Sequence, residues 1–312
     1  MIKAIARRVL HLTRTRPLLE RWREFRNFRG ALQYDAPVLQ DALGVRFILY
    51  PWDRPYLQSL IDRVSDLPQL SAMSHLVHVG DTVFDVGAHV GEFSVLLSRL
   101  CGPTGHVWSF EPVPHSYWRL REALALNRCE NVTAAQKAIC DKTGMVRMNL
   151  FEPQFSAWNT LGMPSMVTPA GDRVSPAQSV EVQGHTLDEF CDAEQIERIH
   201  FLKVDVEGFE EMVFRGAERL LREHRVDYVC FEISREPLKG AGLDSRKVFE
   251  ALETHGYFAY CFDESAGQFK GPIEDSSEYW ANFYASWRDL SKMHGMGQFD
   301  SKRVAQLKEV SL

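Results

Sequence analysis

No segment of this 312-residue chain repeats, none is of low complexity, and no apolar run reaches the length needed to cross a bilayer. Repeat architectures and helical membrane spans are therefore set aside. The chain also lacks any C-x-x-C pair: its six cysteines stand apart, several inside apolar runs such as YVCFEI. That pattern argues against a zinc site or a disulfide framework and reads as core thiols in a reducing cytoplasm. Positive charge is not in excess either. A net charge of −6 excludes a broad phosphate-binding surface, so no nucleic-acid partner is expected.

What is present is the composition of a globular enzyme, 45% hydrophobic and 25% charged, enough for one large domain. Charge is uneven along it. The first thirty residues carry nine Lys or Arg against two acids, with Leu18, Leu19, Trp22, Phe25 and Phe28 interleaved. Residues 1–70 are read as a basic helical extension and cap, able to touch an anionic membrane surface or a partner weakly through residues 1–30. Residues 71–290 alternate strand-like and helix-like sequence, and 291–312 form a polar tail. Strands are expected near 82–86, 106–110, 132–138, 200–205, 227–233, 257–262 and 281–286, with a long pocket-covering loop over 151–178. Thr186 and Glu189 make a capping-box pattern.

Three strand ends carry chemistry. In TVFDVGAHVGEFS an apolar run ends in Asp85, and Gly87 and Gly91 follow before helical sequence resumes. Glycine suits a sharp strand-to-helix turn that a ligand approaches closely. A nicotinamide fingerprint needs G-x-G-x-x-G, but His89 and Glu92 occupy its second and third glycine positions. An acid before the loop instead suits a cationic cofactor such as S-adenosylmethionine. In HVWSFEP the run ends in Glu111, far enough from Asp85 for a crossover helix between two parallel strands. A carboxylate there can accept both hydroxyls of a ribose. In IHFLKVDVEGFE a third run ends in Asp205 and Glu207, and VDYVCFEIS places Glu232 on the next strand.

Together, D-V-G-A-x-x-G, F-E-P and K-x-D-x-E-G in this order resemble the FkbM family of S-adenosylmethionine-dependent methyltransferases, over about residues 76–290. The resemblance implies an α/β class I methyltransferase fold, Rossmann-like, with a seven-stranded mostly parallel sheet and helices on both faces. It implies methyl transfer to a hydroxyl of a sugar, glycan or small metabolite. Asp85, Gly87, His89, Gly91, Glu111 and Ala138 are the implied cofactor-binding positions; His89 stands where the family often has Asn. A neutral hydroxyl is a poor nucleophile, so a base is expected, and Asp205, Glu207 and Glu232 are the candidate catalytic residues. The same three carboxylates have a second reading, a divalent metal held by oxygens, which ranks below the metal-free base. A nicotinamide oxidoreductase and a non-catalytic scaffold remain the alternative functions.

Overall fold

Apolar runs that end in acids form the middle of one sheet. The computed structural model describes residues 38–40, 44–48, 50, 67–162, 166–167, 173–234, 238, 244–275 and 280–293. The basic segment 1–30 and the tail from 294 onward lie outside the described residues, as does most of the cap. In chain order the main strands are β1 Thr82–Val86, β2 His106–Phe110, β3 Val132–Ala135, β4 Ala138–Ile139, β5 Gly144–Leu150 and β6 Gln178–His185. They continue with β7 Ile199–Val204, β8 Val226–Ser234, β9 Phe258–Asp263, β10 Gln268–Ile273 and β11 Trp280–Ser286. The helices are α1 Leu67–Leu76, α2 Glu92–Cys101, α3 Pro114–Leu126, α4 Leu187–Ala193, α5 Glu210–Arg215, α6 Glu218–Arg222 and α7 Ser245–Glu253.

The principal sheet runs β10-β9-β11-β8-β7-β1-β2-β3. Strands β3, β2, β1, β7 and β8 are parallel, and β11 lies antiparallel between β8 and β9. Parallel strands covered on both faces read as continuous apolar runs, and Val83, Phe84, Phe201, Leu202, Val226 and Val229 are all fully buried. Each such side chain contributes about 1.5–3 kcal/mol on burial. One core packs α1, α2 and α3 on one face; a second packs α4 to α7 on the other. The strand order reverses between β1 and β7, since the chain runs outward from β1 to β3 and returns beside β1. A crevice opens at the carboxyl ends of the strands at such a reversal, and the acidic residues stand there.

Four features depart from the sequence expectation. An eighth strand, β10, joins the edge of the sheet by a hairpin from β9, whose turn is held by Asp263 accepting from the Ala266 N–H at 3.1 Å. The expected strand 132–138 stops at Ala135, because Lys137 N–H turns back to the Ala135 carbonyl at 3.0 Å. Ala138–Ile139 then pairs with β6 in a separate three-stranded sheet, β4-β6-β5. Strands β5 and β6 bracket the expected loop, inside which a 3-10 turn spans Pro153–Trp158. Thr186 does cap α4, accepting from the Glu189 N–H at 3.1 Å. The Glu189 carboxylate, however, accepts from Thr143 rather than closing the box.

Among the described residues of 1–70, Arg46 N–H donates to Asn127 just past α3 at 3.0 Å, the Tyr50 hydroxyl donates to Glu122 of α3 at 2.7 Å, and the Gly44 carbonyl accepts from Arg99 of α2 at 2.9 Å. All six cysteines are free thiols; Cys101, Cys140, Cys191 and Cys230 are buried, while Cys129 and Cys261 are partly exposed. Among the described residues no helix is long and apolar enough to cross a membrane.

Candidate active site at the strand reversal

The loop after β1 is shaped by two close approaches. Gly87 has φ +85, and a Cβ on it would lie 1.8 Å from the Asp205 carbonyl oxygen, so only glycine fits between the two strand ends. The N–H groups of Gly87 and Ala88 both donate to the Phe110 carbonyl at 3.0 Å. His89 follows at φ +46, a left-handed conformation in which Asn, Asp and His are enriched among residues with a side chain. Gly91, at φ +92, begins α2 and packs on Leu120, 2.6 Å from where its Cβ would be. Its tightness faces the core rather than the crevice.

Glu111, just past β2, is 5% exposed. Its two oxygens accept separately, one from the Val113 N–H at 2.8 Å and the other from the His89 N–H at 2.9 Å. Burial pushes its carboxyl up to about 7, although both hydrogen bonds pull the other way. Each oxygen keeps a second lone pair for a ligand. Ring nitrogen Nε2 of His89 lies 3.1 Å from Ser156 Oγ, which ties the loop after β1 to the segment following β5.

The acids of β1, β7 and β8 meet around one lysine. Lys203 on β7 is in register with Asp85 on β1 and Cys230 on β8. Its ammonium lies 2.9 Å from Asp205 Oδ2, 3.8 Å from Asp85 Oδ1 and 4.8 Å over the Phe93 ring. Asp85 is fully buried, and its Oδ2 accepts from Ser94 Oγ at 2.6 Å. Burial raises its pKa against the pull of Lys203. Burial also pushes Lys203 down, but the Asp205 and Asp85 carboxylates outweigh it and hold the ammonium above its ordinary pKa. Beyond β7, Glu207 sits at φ +54 and Gly208 at φ +91 in a turn closed by Glu210, whose Oε1 accepts from the N–H groups of Val206 and Gly208 at 3.2 Å each. Burial, then the neighbouring Glu232, Asp205 and Glu210, raise Glu207 well above the ordinary glutamate pKa; Lys203 acts in the opposite sense. Asp205, Glu207 and Glu232 each offer an oxygen, all within 4.8 Å of one another, close enough to share a proton or to ligate one cation.

Two pockets adjoin at this point. One, about 570 Å³ of empty space counting its open mouth, is lined by Glu111, Phe110, Pro112, Ala138, Ile139 and Met148. The other, about 890 Å³ on the same measure, is lined by Asp85, Phe93, Trp158, Lys203, Glu232 and Ser234. Gly87, His89, Ala157, Asp205 and Glu207 line both.

Every candidate cofactor-binding or catalytic residue thus borders this double pocket except Gly91. Lys203 entered the sequence reading only as the first residue of K-x-D-x-E-G, with no role assigned. Its signal was a lysine inside an otherwise apolar strand, where a charge needs a partner. The segment 151–161 also reaches the site, through Ser156, Ala157, Trp158, Asn159 and Leu161. Trp158 stacks on Phe155 with centroids 4.8 Å apart and meets Phe151 edge-on.

Residues 85–259, more than half of the chain and containing all of these acids, match the methyltransferase FkbM domain. The chain belongs to the FkbM methyltransferase family. Two relatives of this FkbM-family protein are 31-O-demethyl-FK506 methyltransferase FkbM from Streptomyces tacrolimicus and hexuronic acid methyltransferase AglP from Haloferax volcanii. The first is 31% identical over 158 residues, covering 45% of this chain and 60% of the relative. The second is 26% identical over 172 residues, covering 55% of this chain and 61% of the relative. The matched segment therefore spans about three fifths of each relative's length. A methyltransferase from Aquifex aeolicus of solved structure aligns with 75% of this chain and 98% of its own, at 15% identity and TM-score 0.40, too distant to bear on function. Membership of the FkbM family sets the nicotinamide oxidoreductase reading aside.

Proposed function

We propose that this protein binds S-adenosylmethionine across the two adjoining pockets and methylates a hydroxyl of a sugar, glycan or small metabolite. The residues present fit that cofactor. Glu111 is pinned by two backbone N–H groups and keeps free lone pairs for a ribose diol, while Phe110, Pro112, Ala138, Ile139 and Met148 offer apolar walls to a base. Gly87 and His89 shape the backbone between the pockets, and the surrounding carboxylates favour a cationic ligand. When bound, S-adenosylmethionine supplies an electrophilic methyl group on its sulfonium.

The chain's own part is positioning and proton removal. An in-line displacement needs the acceptor oxygen held on the axis of the bond that breaks, so much of the rate comes from orientation. Glu207, Glu232 and Asp205 surround the point where the pockets join. Glu207 is the base in this reading: burial and its acidic neighbours make it a stronger proton acceptor than an ordinary glutamate. Trp158 forms the apolar side of the acceptor pocket.

The observation that carries the reading is the juncture itself, where the Glu111 pocket and the carboxylate pocket share Gly87, His89, Asp205 and Glu207. The names of the relatives support an oxygen acceptor on a small molecule. Asp85, Glu92, Asp205, Glu207 and Glu232 line the larger pocket against the Lys203 ammonium, which repels a nucleic-acid backbone. With free thiols throughout, the cytoplasm is the compartment we assign. Calorimetry with S-adenosylhomocysteine tests the cofactor half: micromolar binding that Glu111→Ala abolishes supports it, and binding unchanged by that substitution removes the assignment.

A further inference from the structure

We infer that Asn159 reads the cofactor's base, its side-chain amide donating to a ring nitrogen of the adenine of S-adenosylmethionine; this rests on the cofactor reading above. Asn159 sits on a loop whose ends are tied together. The chain leaves β5 at Phe151 and returns at Thr160, where the Asn149 N–H donates to the Thr160 carbonyl at 2.8 Å and the Thr160 N–H to the Asn149 carbonyl at 3.1 Å. The Thr160 hydroxyl donates to the Glu207 carbonyl at 2.9 Å, and Ser156 Oγ meets His89 Nε2 at 3.1 Å. Phe151, Phe155 and Trp158 pack on one another within the loop. A loop closed in this way holds one shape before any ligand arrives, so the groups it presents are already in position.

Asn159 is oriented as well as placed. Its Oδ1 accepts from the Phe151 N–H at 2.9 Å. Only the oxygen of a carboxamide can meet an N–H, so the NH2 group is fixed on the other branch of the amide. Among the described residues its two hydrogens have no acceptor. Asn159 borders the Glu111 pocket and does not border the carboxylate pocket, so the partner these hydrogens await is on the cofactor side.

The other polar side chains of that pocket are committed. Glu111 is kept for the ribose hydroxyls, His89 and Ser156 bond each other, and the Lys137 ammonium stands 5.5 Å over the Phe190 ring. Asp205 and Glu207 belong to the juncture with the acceptor side. Beyond Glu111 the walls are Phe110, Pro112, Ala138, Ile139, Met148 and Leu161, which suit a flat ring but cannot tell adenine from another. Asn159 supplies that distinction. Met148 precedes Asn149 on β5, and Asn149 pairs with Thr160, which seats Asn159 beside the strand that carries the wall. Adenine offers lone pairs at N1, N3 and N7, and an amide N–H complements any of them. A donor left unpaired by the wrong ring costs affinity, and that cost is selectivity.

Titration calorimetry on the full chain tests this, with S-adenosylhomocysteine and its deaza analogues, in each of which a C–H replaces N1, N3 or N7. The wild-type protein should bind one of these analogues about tenfold more weakly than the parent, the loss of one hydrogen bond. Asn159→Asp keeps an oxygen for the Phe151 N–H but puts a second oxygen where the donors were. In that variant the parent should weaken by about tenfold, and the disfavoured analogue should bind at least as well as the parent. Wild-type affinity for every analogue equal to that for the parent overturns the inference. So does discrimination that persists in Asn159→Asp, the outcome of a merely structural role that weakens all ligands alike. Should Asn159→Asp not fold, Asn159→Ser carries the same test: its hydroxyl can accept from the Phe151 N–H but is too short to reach the base, so the affinity ratio should fall to about one. Absence of S-adenosylhomocysteine binding by the folded wild-type protein is a separate result, which removes the cofactor reading and the inference with it.

Discussion

Cofactor affinity should depend on pH through Glu111, and the size of the effect follows from its surroundings. Burial lifts this carboxyl from 4.5 to about 7, with the Val113 and His89 N–H groups resisting. With a midpoint near 7, about one-tenth of the molecules carry an ionised Glu111 at pH 6 and about nine-tenths at pH 8. If the ionised carboxylate accepts the ribose hydroxyls, affinity for S-adenosylhomocysteine should rise about tenfold over that interval, equivalent to about 1.4 kcal/mol. The unliganded protein should show the reverse trend in stability. A carboxyl raised by folding favours the folded state below its unfolded pKa, and that contribution is lost as pH rises through the folded value. The rise from 4.5 to about 7 corresponds to about 3 kcal/mol lost across that window. Glu111→Gln should flatten both dependences. The assay is titration calorimetry at pH 6, 7 and 8 on both proteins, with urea unfolding alongside. A wild-type affinity independent of pH, or a slope that persists in Glu111→Gln, would refute the reasoning.

Glu207→Gln should cut methyl transfer by about a hundredfold or more while leaving S-adenosylhomocysteine affinity within about threefold, and retained turnover would exclude it as the base. Because the Glu207 pKa is raised, turnover should climb with pH above the usual glutamate range; an acid limb at an ordinary glutamate pH would contradict the environment described. Gly87→Ala places a methyl 1.8 Å from the Asp205 carbonyl at positive φ, so denaturant unfolding should show a loss of about 3 kcal/mol or more. Chelation by EDTA should leave turnover unchanged, and a loss restored by magnesium would turn Asp205, Glu207 and Glu232 from base into metal ligands.

The parallel half of the sheet was legible because buried strands advertise themselves as apolar runs that stop at acids. Asp85, Glu111 and Asp205 mark the ends of β1, β2 and β7 for that reason, and glycine at 87 marked the turn between them. The three-stranded sheet was harder. MVRMNL and QSVEVQG alternate apolar and polar residues, the signature of strands with one solvated face, yet they were absent from the expected strands, while the proline-containing stretch between them was expected as a loop. Strand β10 was hidden by Gly271 and Pro272, residues tolerated on a sheet edge but poor strand signals. Ala138 reaches the pocket from β4 rather than from the end of β3, a placement set by pairing with Gly184 far along the chain. Lys203 was quoted without a role because its second partner, Asp85, comes from another strand, and register is not visible until the sheet is assembled. Gly91 looked like a ligand-loop glycine; its neighbour turns out to be Leu120 of α3.

The decisive measurement is transfer of labelled methyl from S-adenosylmethionine by the purified protein into fractions of a cell extract, run beside Glu207→Gln. Label entering a hydroxylated sugar, glycan or small metabolite as a stable methyl ether, and absent with Glu207→Gln, is the result expected from this site. Cofactor bound with label in no fraction, or label in nucleic acid undiminished by Glu207→Gln, would contradict it.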